Sequence, residues 1–257
     1  MKNKILIVVA LVAVLASNAG AQSNTPAAAP AAHKNVALIP VPRSGDEWAM
    51  NRQSFVLHRA KAAPGAYDLE FIGDSITDYW EEEVGTNVWR ELGTKYKMIN
   101  MGVSGDRTEH VLWRFEQGQL DGIKAKVAVV MIGTNNSGKK KDGTEMYSDT
   151  DILEGVTAVV NEVRRRQPET KILLLGIFPR GKTFNAQRGR LLEINQALAK
   201  LDDSKNIFYL DFGSQLIEKD GSISKSIMPD ALHPNEAGYQ IWAKAIEPKL
   251  KEFLGEK

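Results

Sequence analysis

The sequence contains no cysteine, and this absence excludes several classes of protein. Without thiols there is no disulfide scaffold, no cysteine nucleophile and no zinc held by cysteine ligands. Histidine is also scarce, with four residues in the 257-residue chain, and none forms the HExxH pair of zinc hydrolases. We therefore expect a protein that uses no metal and no other cofactor.

The chain also lacks an excess of charge of either sign. Lysine and arginine total 33 and aspartate and glutamate total 32, which gives a net charge of +1. Nucleic-acid-binding domains usually carry a clear positive excess, so no nucleic-acid partner is expected. Hydrophobic residues at 43% and charged residues at 25% are typical of a globular protein.

The longest apolar run lies at the N-terminus and is short. Lys2 and Lys4 precede apolar residues 5–16, and residues 19–21 form a small-x-small cleavage pattern that ends at Ala21. A membrane span needs about 17–25 residues. The pattern predicts a secretory signal peptide, and an uncleaved membrane anchor is the alternative.

This interpretation divides the chain into three parts. Residues 1–21 are the predicted signal peptide, and residues 22–34, rich in alanine, predict a flexible linker. Residues 35–257 form the predicted catalytic domain. The protein would then be periplasmic or extracellular, with no stable membrane insertion after cleavage.

The folded part alternates short apolar runs with helical stripes. Continuous apolar runs indicate strands that are covered on both faces. Alternation of strand and helix predicts an α/β fold with a parallel sheet and helices on both faces. The predicted strands cover residues 67–72, 97–101, 127–132, 171–175 and 206–210, and helical stripes cover residues 152–163, 191–201 and 237–250.

Chemistry in such a fold is expected at the carboxyl ends of the strands. Ser75 follows the first strand, Gly105 the second and Asn135 the third, and Asp230 and His233 precede the last helix. Each feature alone has a simpler interpretation: a helix cap, a glycine turn, an asparagine-rich turn or a structural histidine.

Together, these residues are the parts of a serine hydrolase. A serine hydroxyl is a weak nucleophile and needs a base within about 2.6–3.2 Å, which His233 could supply. Asp230 would fix the imidazole tautomer. A glycine amide and an asparagine amide could donate to the oxyanion of the tetrahedral intermediate.

The same motifs resemble the four blocks of the SGNH (GDSL-type) hydrolases. The blocks are Gly-Asp-Ser at 73–75, Asn-x-Gly-x-x-Gly at 100–105, Gly-x-Asn at 133–135 and Asp-x-x-His at 230–233. The resemblance is strongest to the branch of platelet-activating-factor acetylhydrolase catalytic subunits, with which residues 110–114, 133–136 and 179–181 also agree. That branch is cytosolic, whereas this N-terminus predicts export.

The resemblance implies a three-layer α/β/α sandwich that is flavodoxin-like, with a five-stranded parallel sheet. It also implies a role for each matching residue, and a tight pocket that favours an acetyl group. The implied roles are Ser75 as nucleophile; the Ser75 amide, Gly105 amide and Asn135 side chain as oxyanion hole; His233 as base and Asp230 as its partner; and Ile76, Thr134 and Leu232 as acyl pocket.

A competing motif follows the fourth strand. Residues 176–183 match the phosphate-loop pattern G-x-x-x-x-G-K-[ST], which would indicate a nucleotide-binding enzyme. Pro179 removes a backbone N–H from a loop whose purpose is to offer such groups. We therefore disfavour this interpretation.

Several other residues suggest weaker hypotheses. Trp80 is interpreted as packing in the core or at the rim, with stacking on a sugar ring as the alternative, and residues 81–83, three glutamates, predict a solvated helix face. The remaining histidines, His33, His58 and His110, are interpreted as structural or surface residues.

The sequence therefore predicts an exported serine esterase that hydrolyses short-chain acyl esters, most plausibly O-acetyl groups on carbohydrate. One alternative is a phospholipid acetylhydrolase, lysophospholipase or thioesterase, and another is a non-catalytic glycan-binding module on a hydrolase fold. The expected partner is a small-molecule or glycan ester. The sequence does not decide whether the protein forms a homodimer.

Overall fold

The computed structural model describes residues 33–256. Residues from Asn35 onward form one compact unit. The predicted signal peptide and residues 22–32 of the predicted linker lie outside the described residues. Among residues 33–256, no helix combines the length and the apolarity that crossing a membrane requires.

A five-stranded sheet forms the centre of the fold. All four strand pairs are parallel, and the order across the sheet is β2-β1-β3-β4-β5. This is the flavodoxin-like order that the family resemblance implies. The strands are β1 (Gly65–Gly73), β2 (Met98–Asn100), β3 (Ile123–Met131), β4 (Lys171–Leu175) and β5 (Ile207–Leu210).

Seven α-helices of the described chain cover the two faces of the sheet. One apolar cluster joins residues of α1, α4, α5 and α6 to the sheet, and the other joins residues of α2, α3 and α7 to it. The α/β/α prediction is therefore confirmed. The helices are α1 (Glu47–Ala62), α2 (Ser75–Asp78), α3 (Thr86–Gly93), α4 (Thr108–Glu116), α5 (Asp149–Arg166), α6 (Ala186–Leu198) and α7 (Glu236–Leu254).

Alternation along the strands explains how both layers bury apolar side chains. In β1, Leu69 and Phe71 pack in the cluster of α7, whereas Ile72 packs in the cluster of α5. All three side chains are fully buried. A strand with apolar residues on both faces can only be central, which fits the position of β1 between β2 and β3.

The register of the sheet brings the carboxyl ends of β1 and β3 side by side. Gly73, the last residue of β1, is opposite Met131, the last residue of β3. The loop after β1 and the loop after β3 therefore begin at the same height. Ser75 and Asn135 therefore lie on loops that leave the same edge of the sheet.

Candidate active site

Ser75 is held in a tight turn between β1 and α2. It is the first residue of α2 and is 6% exposed. Asp74 caps the helix, because its Oδ1 accepts the Ile76 amide at 3.0 Å. Gly73 is required by sterics: a Cβ there would overlap the Met131 carbonyl oxygen and the Thr77 side chain.

The end of β2 fixes this one-turn helix in place. Asn100 is fully buried, and its Nδ2 donates to the carbonyl oxygens of Thr77 at 2.9 Å and Asp78 at 3.3 Å. The Asp78 carboxylate in turn accepts the amide and the hydroxyl of Ser104 at 3.0 and 2.7 Å. The helix that carries Ser75 is therefore hydrogen-bonded both to the end of β2 and to the loop after β2.

The predicted catalytic residues form one chain of hydrogen bonds. Ser75 Oγ lies 2.9 Å from His233 Nε2, and His233 Nδ1 lies 2.6 Å from Asp230 Oδ2. An ionised carboxylate only accepts hydrogen bonds, so Nδ1 carries the proton and Nε2 is free to accept that of Ser75. This geometry suits a serine nucleophile, its base and an orienting carboxylate.

A strained turn brings the side chains of Asp230 and His233 together across the two residues between them. Asp230 Oδ1 accepts the amides of Leu232 at 3.0 Å and His233 at 2.8 Å. Ala231 lies between them in the left-handed region, with φ of 58°, which non-glycine residues seldom adopt. The hydrogen bonds of Asp230 offset the cost of this conformation.

The environment keeps Asp230 ionised. Partial burial opposes its charge, but the hydrogen bonds from the His233 amide and imidazole outweigh burial and lower the pKa of Asp230 below its ordinary value. The Tyr79 ring packs against His233, with 5.1 Å between the ring centroids. The imidazole is therefore held by Asp230 on its edge and by Tyr79 on its face.

The predicted oxyanion donors lie on neighbouring loops. Asn135 Nδ2 donates to the carbonyl oxygen of Asp106 at 2.9 Å, which leaves its second N–H for another acceptor and ties the β3 loop to the residue after Gly105. Within residues 33–256, neither the Ser75 amide nor the Gly105 amide has an acceptor. Gly105 has φ of 79°, so glycine is favoured there.

A buried ion pair supports this loop. Asp106 and Arg114 are both fully buried and bond to each other at 2.9–3.0 Å. Burial raises the pKa of Asp106 to about 6, although Arg114 opposes the rise.

Two other buried groups near the site have shifted pKa values. Burial raises the pKa of Asp74, next to the nucleophile, to about 7. His110 accepts the Arg107 amide at 3.0 Å, and burial lowers its pKa to about 4.

The residues predicted to form the acyl pocket are buried to different degrees. Ile76 is fully buried in the cluster of α7, and Thr134 is 1% exposed beneath the loop after β4. Leu232 is partly buried and lies in the turn between Asp230 and His233. These positions are compatible with a closed apolar wall near Ser75, and the acyl-binding role stays a prediction.

Arg180 is a site residue to which the sequence interpretation gave no role. Its Nη1 donates to the carbonyl oxygen and the hydroxyl of Thr134, at 3.0 and 3.1 Å. The next residue, Gly181, donates its amide to the carbonyl oxygen of Ala231 at 2.8 Å. The loop after β4 thus connects the residue before Asn135 to the turn that carries His233.

These contacts also exclude a phosphate loop at residues 176–183. The Gly181 amide is used by Ala231, and the Ile177 amide donates to Asn195 Oδ1 at 2.8 Å. Helix α6 begins at Ala186, after the Lys182 and Thr183 that would open a phosphate-binding helix. The loop therefore supports its neighbours instead of offering free amides to an anion.

The structure decides two other expectations near the site, those for Trp80 and for residues 81–83. Trp80 is fully buried, which confirms core packing and excludes stacking on a sugar. The expectation of a helix at residues 81–83 is wrong, because these glutamates lie on a bend between α2 and α3. Within residues 33–256, no group of three carboxylate or imidazole side chains is placed to hold a metal ion.

Comparisons with known proteins agree with this geometry. The sequence model of the GDSL-like Lipase/Acylhydrolase family matches residues 71–241. The chain is 33% identical over 234 residues to platelet-activating factor acetylhydrolase IB subunit alpha2 of Rattus norvegicus, covering 91% of this chain and 93% of that one. It is 31% identical to subunit alpha1 of Homo sapiens, covering 87% and 93%.

Solved structures show the same fold. A structure described as a platelet activating factor from Streptococcus pneumonia superposes with a TM-score of 0.66 at 25% identity, covering 79% of this chain and 93% of that one. The acetyl xylan esterase AlAXEase superposes with a TM-score of 0.60 at 23% identity, covering 70% and 98%.

Proposed function

This chain belongs to the GDSL-like lipase/acylhydrolase family and is an ester hydrolase, and on that premise we propose that it is an exported serine esterase that removes acetyl groups from carbohydrate hydroxyls. The observation that carries the serine mechanism is the chain from Ser75 Oγ through the His233 imidazole to Asp230, with distances of 2.9 and 2.6 Å. The first distance allows proton transfer from Ser75 to His233 without rearrangement, and the second lets the Asp230 carboxylate orient the imidazole and stabilise its protonated form.

The proposed reaction proceeds in two halves. His233 Nε2 takes the proton of Ser75 as Oγ bonds to the ester carbon, and the oxyanion is stabilised by the Ser75 and Gly105 amides and by Asn135. Nε2 then gives its proton to the leaving alcohol, whose bond to the ester carbon breaks. A water molecule, deprotonated by the same imidazole, releases the acid and restores Ser75.

Short acyl groups are favoured by the surroundings of Ser75. Ile76 and Thr134 are almost fully enclosed, and Leu232 closes the turn beside His233. A long chain would have to displace packed core side chains, which is costly in a close-packed interior. The carbohydrate part is supported by the shared fold of the acetyl xylan esterase.

The test is a series of p-nitrophenyl esters from C2 to C12. We expect the highest kcat/KM with the acetyl ester and a steep fall beyond C4. Ser75→Ala should abolish turnover and keep the circular dichroism spectrum of the wild type. An optimum at C8–C12 would contradict the short acyl pocket, and unchanged turnover in Ser75→Ala would remove the proposed nucleophile.

Export is tested separately. The pattern of Lys2, Lys4 and apolar residues 5–16 supports cleavage after Ala21. Expression of the full chain in a Gram-negative host should yield a periplasmic protein whose first residue is Gln22. A cytoplasmic protein that begins at residue 1 or 2 would contradict export.

A second candidate is a phospholipid acetylhydrolase. It is favoured by the 33% identity to the platelet-activating factor acetylhydrolase subunit over 91% of the chain. Both candidates release acetate, so the alcohol must decide. Faster release from acetylated xylan than from 1-alkyl-2-acetyl-glycerophosphocholine supports the carbohydrate proposal, and the reverse order supports the lipid one.

A further inference from the structure

The direction of proton transfer fixes where the alcohol half of the ester must lie. His233 Nε2 protonates the leaving oxygen, so the alcohol half is adjacent to the imidazole, while the carbonyl oxygen points to Gly105 and Asn135. A groove of about 770 Å³ opens at this imidazole, with His233 and Asp230 in its wall. Its volume lies within the range of about 300–1,000 Å³ of small-molecule sites.

The groove has an aromatic wall that the hydrolytic centre does not explain. Trp48, on α1, is 53% exposed and lines the groove, as does Tyr79, whose ring packs against His233. An exposed tryptophan beside a reacting centre offers a flat apolar face with an N–H at its edge. Such a face suits the apolar face of a sugar ring.

The groove also carries two acidic side chains on the bend between α2 and α3. Glu82 and Glu83 line it and are exposed, and neither has an ion-pair partner within residues 33–256. Among the described residues, no lysine or arginine contributes to its wall. Carboxylates accept hydrogen bonds from hydroxyl groups and repel anions, so this wall favours a neutral polyol over a phosphorylated or carboxylated alcohol.

We propose that the groove of Trp48, Tyr79, Glu82 and Glu83 is the binding site for the alcohol half of the substrate, and that this half is an uncharged, hydroxyl-rich ring that stacks on Trp48. The inference rests on the proposed carbohydrate esterase function and adds its leaving-group site. It also separates the two halves of the substrate: the acyl group is enclosed by the sheet edge, and the alcohol rests on α1 and the bend before α3.

The first test compares two acetyl esters that differ only in the alcohol. In Trp48→Ala, kcat/KM for an acetylated xylo-oligosaccharide should fall about tenfold, mainly through KM, and should fall far more than kcat/KM for ethyl acetate, whose alcohol half has no ring to stack on Trp48. Trp48→Phe should restore most of the loss. Phe184→Ala is the control, because Phe184 is 75% exposed but lines a different pocket.

The outcomes distinguish this inference from the function on which it rests. If the wild type deacetylates the oligosaccharide and Trp48→Ala does so equally well, the groove site is wrong and the function stands. If the wild type cleaves p-nitrophenyl acetate but no acetylated sugar, the carbohydrate function is wrong. Preference for acetylcholine over the sugar ester, lost in Trp48→Ala, would instead assign the groove to a cationic alcohol.

A second test isolates the acidic wall. Methyl 4-acetoxybenzoate and 4-acetoxybenzoate share the scissile ester, and only the latter places a negative charge on the alcohol half. The wild type should prefer the neutral ester, and Glu82→Gln combined with Glu83→Gln should reduce that preference at least severalfold at low salt. An unchanged ratio would show that the two carboxylates do not face the leaving group.

Discussion

At the scale of single residues, the nucleophile depends on partners with different tasks. In the proposed mechanism, His233 and Asp230 move and direct a proton, whereas Asn135 and Gly105 face the developing charge. The first pair is recognisable in the sequence because Asp-x-x-His before a helix occurs together with the serine, glycine and asparagine motifs. Arg180 lies within residues 179–181, which agree with the family branch, but the local sequence does not indicate that Thr134 is its partner, so no role was predicted for it.

Asn135→Ala should lower kcat by about 10²–10³-fold and change KM little, because the donor acts on the oxyanion and not on the bound ester. Steady-state kinetics with p-nitrophenyl acetate measure kcat and KM separately. Asn136→Ala is the matched control: its Oδ1 accepts the Thr108 amide at 3.1 Å and caps α4, so it should lower stability with a much smaller effect on kcat. A rise in KM alone for Asn135→Ala would make Asn135 a substrate-binding residue.

At the scale of elements, the site is assembled from loops that are bonded to one another. The strands were predictable because buried parallel strands read as continuous apolar runs, and each expected strand is present. β3 begins at Ile123, four positions before the predicted start. The prediction missed these positions because Lys124 and Lys126, which are exposed, interrupt the apolar run.

Two of the helices that the predicted helical stripes do not cover, α1 and α3, were missed for a related reason. α1 buries only Ala49, Gln53, Val56 and Ala60, so small or polar side chains replace the apolar stripe that periodicity needs. α3, eight residues long, buries only Val88 and Leu92. Contacts with the rest of the fold, which a local pattern does not contain, stabilise both helices.

The loop after β4 should act as a brace between the two halves of the catalytic machinery. We expect Arg180→Met to lower kcat at least tenfold with KM nearly unchanged, because the Thr134 carbonyl and hydroxyl lose the donor that positions the adjacent Asn135. Arg180→Lys should recover part of the activity by supplying one donor.

Arg190→Met is the control for this prediction, since Arg190 is an arginine of α6 whose partners, Glu145 and Asp149, lie away from the triad. Equal decreases of kcat in Arg180→Met and Arg190→Met would show that Arg180 only stabilises the fold. The same conclusion would follow if the decrease of kcat in Arg180→Met matched a decrease of the folded fraction in urea titrations.

At the scale of the whole molecule, the sheet buries a carboxyl group far from the chemistry. Glu70 in β1 is fully buried, and Gln167 Nε2 donates to its Oε2 at 3.2 Å. Burial raises the pKa of Glu70 to about 8, against 4.5 for the ordinary group. Within residues 33–256, Glu70 Oε1 and Gln167 Oε1 have no other partner, and a protonated carboxyl would provide the missing donor.

Glu70 should make the fold less stable as the pH rises. The unfolded chain releases the Glu70 proton above about pH 4.5, while the folded protein retains it until about pH 8, so the stabilisation present below pH 4.5 is lost across this window. Glu70→Gln should therefore flatten the profile and raise the free energy of unfolding at pH 8 by roughly 2–4 kcal/mol relative to the wild type, since one pKa unit corresponds to about 1.4 kcal/mol.

Urea denaturation at pH 5, 6.5 and 8 measures this effect, with Glu169→Gln as the exposed control. The wild type and Glu70→Gln should differ least at pH 5. A constant difference at all three pH values would mean that Glu70 is ionised in the folded state or that the substitution acts through packing alone.

The groove beside His233 has a consequence for how the substrate selectivity of this fold can change. One side of its wall contains Asp230 and His233, and the other side comes from α1 and from the bend between α2 and α3, which contribute no atom to the proposed proton relay. Exchanging Trp48, Glu82 and Glu83 could retune which alcohol is accepted while the bond-breaking apparatus stays untouched. The catalytic residues and most of the alcohol-binding groove thus come from different segments of the chain. This division makes the protein a practical starting point for engineering esterases with altered alcohol selectivity.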